Sequence, residues 1–84
     1  MKNKNTPDPL SIDTTKEFSL QNEAYIGLDK LLKQMRLVGS GGEAHRLTEE
    51  GLVSVNGQPE TRKRRKLVAG DLVRFENHQI RIIL

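Results

Sequence analysis

Five cationic side chains stand in a row at Arg62-Lys63-Arg64-Arg65-Lys66. Adjacent like charges repel, so the free chain gains nothing by gathering them, and an anionic partner relieves the repulsion. Arginine forks fit phosphate oxygens and also stack on unpaired bases. A solvated loop is the plain alternative, and sign alone does not separate RNA, DNA and a membrane surface. Ser40-Gly41-Gly42 is a second anion-binding pattern. Free amides at a helix start favour negative charge, and glycines let a ligand approach the backbone, although they could equally serve only to shape a turn. No P-loop lysine follows them. His45 and Arg46 come next, and Lys33 and Arg36 stand on the preceding segment. His45 and His78 have neither cysteine nor clustered carboxylates beside them, which makes no metal site. Glu43 reads as a capping residue and Glu49 and Glu50 as solvated charge. With Glu60, they accompany no nucleophile–base pair, so no catalytic residues are expected.

The elements that hold these groups follow from local patterns. Ser40 can accept from a first-turn amide, and Glu43, three residues on, completes an S-x-x-E capping box. Ala44 and Leu47 give a helix over about residues 41–50 its apolar side, and Gly51 supplies a left-handed stop. Val53 and Val55 alternate as a half-buried strand, and Asn56-Gly57 signals a tight hairpin. Leu28, Leu31, Leu32 and Met35 form an apolar stripe that predicts an earlier helix over about 28–37. A strand is expected over 15–20, a return strand near 60–63, and re-entry into the core at Leu67 and Val68. Leu72, Val73 and Phe75 read as a strand, Asn77-His78 as a turn, and Ile80, Ile82 and Leu84 as a final alternating strand. Residues 1–14 carry Pro7 and Pro9 and read as a disordered tail before a single domain over 15–84. The fold class is α+β: two packed helices against a small, mostly antiparallel sheet.

Composition narrows the function. The 84-residue chain has no cysteine, which removes disulfides, thiolate zinc sites and cysteine nucleophiles and fits a reducing, cytoplasmic setting. No apolar run reaches membrane-spanning length. With 35% hydrophobic and 4% aromatic residues, there is little material for a large ligand pocket. Net charge is +3, but residues 30–66 hold nine Lys/Arg against four Asp/Glu, whereas residues 1–29 hold three against five. The basic character is central, as a polyanion-binding surface requires.

Ser40, Glu43, Ala44, Arg46, Leu47, Gly51, Val53, Val55, Asn56 and Gly57 spell S-x-x-E-A-x-R-L, then G-x-V-x-V-N-G. This pattern resembles the RNA-binding domain named after ribosomal protein S4, the α-L motif, and specifically its small stand-alone bacterial-type members. The similarity spans about residues 26–76 and runs on to Gly70, Asp71, Leu72 and Val73. It departs at Gly41, where the family usually has a basic residue, at Thr48, where it has an apolar one, and at Glu49, where it has a basic one. Phosphate contact should therefore shift toward the 62–66 run and toward Lys33 and Arg36.

The resemblance implies a non-catalytic, cofactor-free, monomeric protein that docks on structured RNA, ribosomal or transfer RNA, by shape and phosphate contact. The expected contacts are Lys33, Arg36, Ser40, Gly41, Gly42, His45, Arg46, Asn56, Arg62, Lys63, Arg64, Arg65 and Lys66. The alternatives are a protein-interaction module and an accessory subunit of an RNA-modifying enzyme or the ribosome. No membrane partner is expected.

Overall fold

The computed structural model describes residues 14–84. The chain runs β1 (Thr14–Ser19), β2 (Ile26–Gly27), α1 (Leu28–Gln34), α2 (Gly41–Glu49), β3 (Val53–Val55), β4 (Gln58–Pro59), β5 (Lys66–Leu67), β6 (Leu72–Phe75) and β7 (His78–Ile83). Five strands form one sheet in the order β1-β7-β6-β3-β4, and β2 and β5 form a separate antiparallel pair. Only β1–β7 is parallel; β3–β4, β3–β6 and β6–β7 are antiparallel. This is the α+β class.

Period-two alternation places Val53, Val55, Val73, Phe75, Ile80 and Ile82 in the core. Register aligns Val53 with Phe75, Val55 with Val73, and Val73 with Ile80. Leu28, Leu31, Leu32, Ala44 and Leu47 of the two helices pack into the same cluster. Thr48, where the resemblance led to the expectation of an apolar residue, is fully buried too, and its hydroxyl donates to the Ala44 carbonyl at 2.7 Å. The polar group is satisfied within its own helix, so the substitution leaves no unpaired group in the core.

α1 stops at Gln34, three residues short of the predicted end. Met35 is its C-cap and Arg36 takes a left-handed conformation, φ +59°. Arg36 N donates to the Lys33 carbonyl and Leu37 N to that of Leu32. α2 ends in the same pattern: Gly51 N donates to Thr48 O and Leu52 N to Leu47 O. Both are Schellman closures. The second was legible because glycine stands at the left-handed position; at the first, arginine stands there.

Other expectations shift by position. The return strand is β4 at 58–59, and residues 61–65 form a loop instead of continuing it. Val68 is exposed, because β5 ends at Leu67 and the chain turns, with Asp71 accepting from the Val68 amide at 2.9 Å. The last turn lies at Glu76-Asn77, so His78 opens β7. Leu84 lies beyond β7 and is exposed. Thr14, assigned by sequence to the tail, begins β1; the remainder of that expected tail lies outside the described residues.

Candidate functional site

α1 has no side-chain cap at its N-cap residue Gly27. Its first amides are satisfied by the basic run. Leu28 N donates to the Arg65 carbonyl at 2.9 Å and Asp29 N to the Lys63 carbonyl at 3.0 Å. A helix start leaves amides without intrahelical partners, and here a distant loop supplies the acceptors. Lys66 is fixed as well, paired with Gly27 across β2–β5. The 62–66 loop is thus tied by its backbone at three successive points and is a built feature of the fold.

Beneath this loop lies Glu60, only 6% exposed. Its amide donates to the Val53 carbonyl, extending the hairpin. Its Oε2 accepts from Arg62 N at 3.1 Å and Arg62 Nε at 2.9 Å, and its Oε1 accepts from Arg62 Nη2 at 3.1 Å and Arg65 Nη1 at 2.7 Å. The Arg62 fork, with Arg65 beside it, outweighs burial and lowers the carboxyl from 4.5 to about 2. Two of the five cations are therefore held by one carboxylate. Arg62, Arg64, Arg65 and Lys66 surround a shallow recess.

The other expected contacts divide among three places. His45 Nε2 lies 3.2 Å from Asp29 Oδ2, so α2 meets α1 beside the loop. Ser40 caps α2 by accepting from Glu43 N at 3.2 Å, while the Glu43 carboxylate accepts from Gly39 N, one residue before the amide that a capping box uses. A Cβ built on Gly41 meets nothing within 4 Å, and one on Gly42 only Ser40 Oγ at 4.0 Å. Neither glycine has positive φ. The fold itself does not require glycine there. Lys33 is exposed on the last turn of α1. Arg36 and Arg46 line a second recess with Lys16, Glu43 and His78. Arg46 also pairs with Glu50 at 3.4 Å.

Asn56 stands apart from these. Its Nδ2 donates to Asp71 Oδ1 at 3.0 Å and its Oδ1 accepts from Leu72 N at 2.9 Å, so its side chain fastens one turn to another. Sequence reasoning missed Glu60 and Asp29. Glu60 left one local signal, a carboxylate two residues before an arginine amide it can accept from. Asp29 left none, since its partner lies on another helix. Among the described residues, no group of three or more His, Cys, Asp or Glu could hold a metal ion, and no helix is long and apolar enough to cross a membrane.

The capped helix α2 thus runs through a glycine stop into a valine strand and an Asn-Gly hairpin, and the basic loop folds back on the preceding helix. The family model described as the S4 domain matches residues 18–83, and the chain belongs to that family. It is similar to the Escherichia coli (strain K12) protein named "Putative RNA-binding protein YbcJ", 41% identical over 66 residues, 79% of this chain and 94% of that protein. It is also similar to the "Probable ribosome maturation protein RlbA" of Bacillus subtilis (strain 168), 38% identical over 69 residues, 82% of this chain and 84% of that one. The solution structure of YbcJ, described as revealing an αL motif involved in RNA-binding, superposes with a TM-score of 0.64 at 40% identity, covering 81% of this chain and 86% of that chain.

Proposed function

We propose that this chain is a non-catalytic RNA-binding protein that docks on structured RNA, ribosomal or transfer RNA, in the cytoplasm. The observation that carries this reading is the backbone fixation of the 62–66 loop on the start of α1, which gathers four cationic side chains around one recess. Preorganised cations lose less entropy on meeting phosphate than a free loop does. The names of the similar proteins, one RNA-binding and one concerned with ribosome maturation, favour RNA over an acidic protein. His45 adjoins the loop through Asp29, and the α2 start, Lys33, Arg36 and Arg46 are assigned as further contacts. Asn56 presents the hairpin.

The test is affinity for ribosomal RNA fragments and transfer RNA against salt, for wild type and a Lys63→Ala/Arg64→Ala variant. These two side chains lie outside the Glu60 ion pairs, so the fold is retained. Each phosphate contact contributes about 0.7 to 0.9 to the slope of log affinity against log salt. The variant should bind more weakly, with a slope shallower by about one to two units. An unchanged slope in the folded variant would overturn the assignment of the run. Crosslinking in cells, followed by sequencing of the bound RNA, identifies the partner.

A further inference from the structure

The chain has three aromatic residues, two Phe and one Tyr. Phe75 is in the core and Phe18 packs against it. Tyr25 is 47% exposed. It lines a recess of about 540 Å³ between the turn after β1 and the face of α1, together with Gln21, Glu23, Lys30 and Gln34. Lys66 Nζ stands 4.9 Å from the ring centroid. Register pairs Ile26 with Leu67 and Gly27 with Lys66, so Tyr25, immediately before β2, is brought beside Lys66 on β5, and ring and ammonium hold one another in place. Such a cation–π contact orients the ring at little entropic cost.

The rim of the recess decides what can enter. Lys30 and Glu23 cancel in charge, and the Glu23 carboxylate opposes a phosphate. The two glutamines offer amide donors and acceptors, as the edge of a heterocyclic base requires. The positive charge lies immediately outside, on Lys66 and the loop before it. A backbone phosphate seated there would leave its base beside an exposed aromatic ring and a neutral, hydrogen-bonding recess. Stacking of unpaired bases on aromatic side chains is how proteins read single-stranded RNA segments.

We infer that Tyr25, with Lys66 over its ring and Gln21, Lys30 and Gln34 around it, is a stacking site for one unpaired nucleobase next to the phosphate-binding loop. This rests on the RNA-binding reading above and adds to it: the RNA element must carry an unpaired nucleotide beside its helix. Neither the basic run nor the α2 start requires that.

Tyr25 is the chain's one tyrosine and there is no tryptophan, so tyrosine emission reports on this site alone. The probes are an RNA hairpin with a short single-stranded extension and the same hairpin with an abasic extension. The extended hairpin should quench wild-type emission and the abasic one should not. Tyr25→Leu should bind the extended hairpin about tenfold more weakly and the abasic hairpin as wild type does, while Tyr25→Phe retains affinity for both. The site is overturned if wild type binds the two hairpins equally without base-dependent quenching. It is also overturned if Tyr25→Leu loses nothing, or loses the same factor on both, which would mark a purely structural role. Base-dependent quenching is read on wild type and needs no variant to fold. Wild type binding both hairpins equally leaves the RNA-binding reading standing and removes this site. Wild type binding no RNA removes both.

Discussion

Arg65 Nη1 donates to Glu60 Oε1 at 2.7 Å, from a loop whose neighbouring backbone caps a helix to a carboxylate buried beneath it. Arg62 shares the same carboxylate. The ion pair therefore belongs to the fold as much as to the charged surface. Glu60 shifts from 4.5 down to about 2, so its contribution is fully present above pH 4.5 and is lost as pH falls from 4.5 through 2. Replacing Glu60 with Gln should cost about 1–2 kcal/mol near neutral pH, a figure kept low because the exposed guanidinium partner is screened by water. The difference between wild type and Glu60→Gln should narrow as pH falls below 4.5 and vanish below about 2. Urea unfolding followed by circular dichroism across that range tests this. A gap that stays constant down to pH 2 would show that the carboxylate is not held in the folded state.

The same substitution separates two accounts of RNA affinity. If net charge alone governs binding, removing a negative group beside four cations must tighten it. If Glu60 aims Arg62 and Arg65, removing it frees two long side chains and binding weakens. We expect Glu60→Gln to bind RNA about fivefold more weakly, although the variant is one charge more positive. The effect should disappear in an Arg62→Ala/Arg65→Ala background, where there is nothing left to aim. Tighter binding by Glu60→Gln would show that the carboxylate is merely an electrostatic cost to RNA recognition.

Features set by neighbours within a few residues were legible in the sequence. The Ser40 cap, the Gly51 stop, the valine alternation and the Asn56-Gly57 turn each use a residue type whose own geometry dictates the structure. The end of α1 was not legible, because Arg36 adopts a conformation that favours glycine, and only the Schellman hydrogen bonds around it reveal why the helix stops. The basic run could be seen as charge but not as structure. What fixes it is long-range: α1 amides that find carbonyls more than thirty residues onward in Lys63 and Arg65. Glu60 was missed for a different reason: its partners Arg62 and Arg65 are only two and five residues onward, but carboxylates are rarely buried, and its burial depends on the tertiary packing around it. The charge of the run was thus legible in the sequence, while the engagement of Arg62 and Arg65 with Glu60 needed the tertiary fold.

Asn56 shows the converse. The sequence counted it as a contact, and the structure has both ends of its amide engaged by Asp71 and Leu72. It also sits at φ +53°, which asparagine tolerates better than alanine does. Asn56→Ala should therefore destabilise by about 1–3 kcal/mol, combining two lost hydrogen bonds with backbone strain. RNA affinity of the folded fraction should stay within about twofold of wild type, below the tenfold that 1.4 kcal/mol represents. Thermal unfolding and RNA titration on one preparation test the two halves. Full stability with a large loss of affinity would return Asn56 to the contact surface.

Gly41 and Gly42 allow the sharpest separation of fold from function, because the two make opposite demands. In the helix, neither needs positive φ, and an added Cβ meets open space or Ser40 Oγ at 4.0 Å. Alanine restricts the unfolded chain more than glycine does and suits a helix better, so each Gly→Ala change should stabilise by about 0.4–1 kcal/mol. If the glycines serve only the fold, affinity is unchanged or improves with stability. If they keep the α2 amides open to phosphate, two methyl groups hold the backbone of the RNA away and affinity falls. We expect Gly41→Ala/Gly42→Ala to melt at a higher temperature than wild type and to bind RNA about tenfold more weakly, with the salt slope reduced by less than one contact's worth of about 0.9 because backbone amides release no counterions of their own. A variant that is both more stable and equally tight would remove the α2 start from the RNA surface and leave the 62–66 loop to carry it.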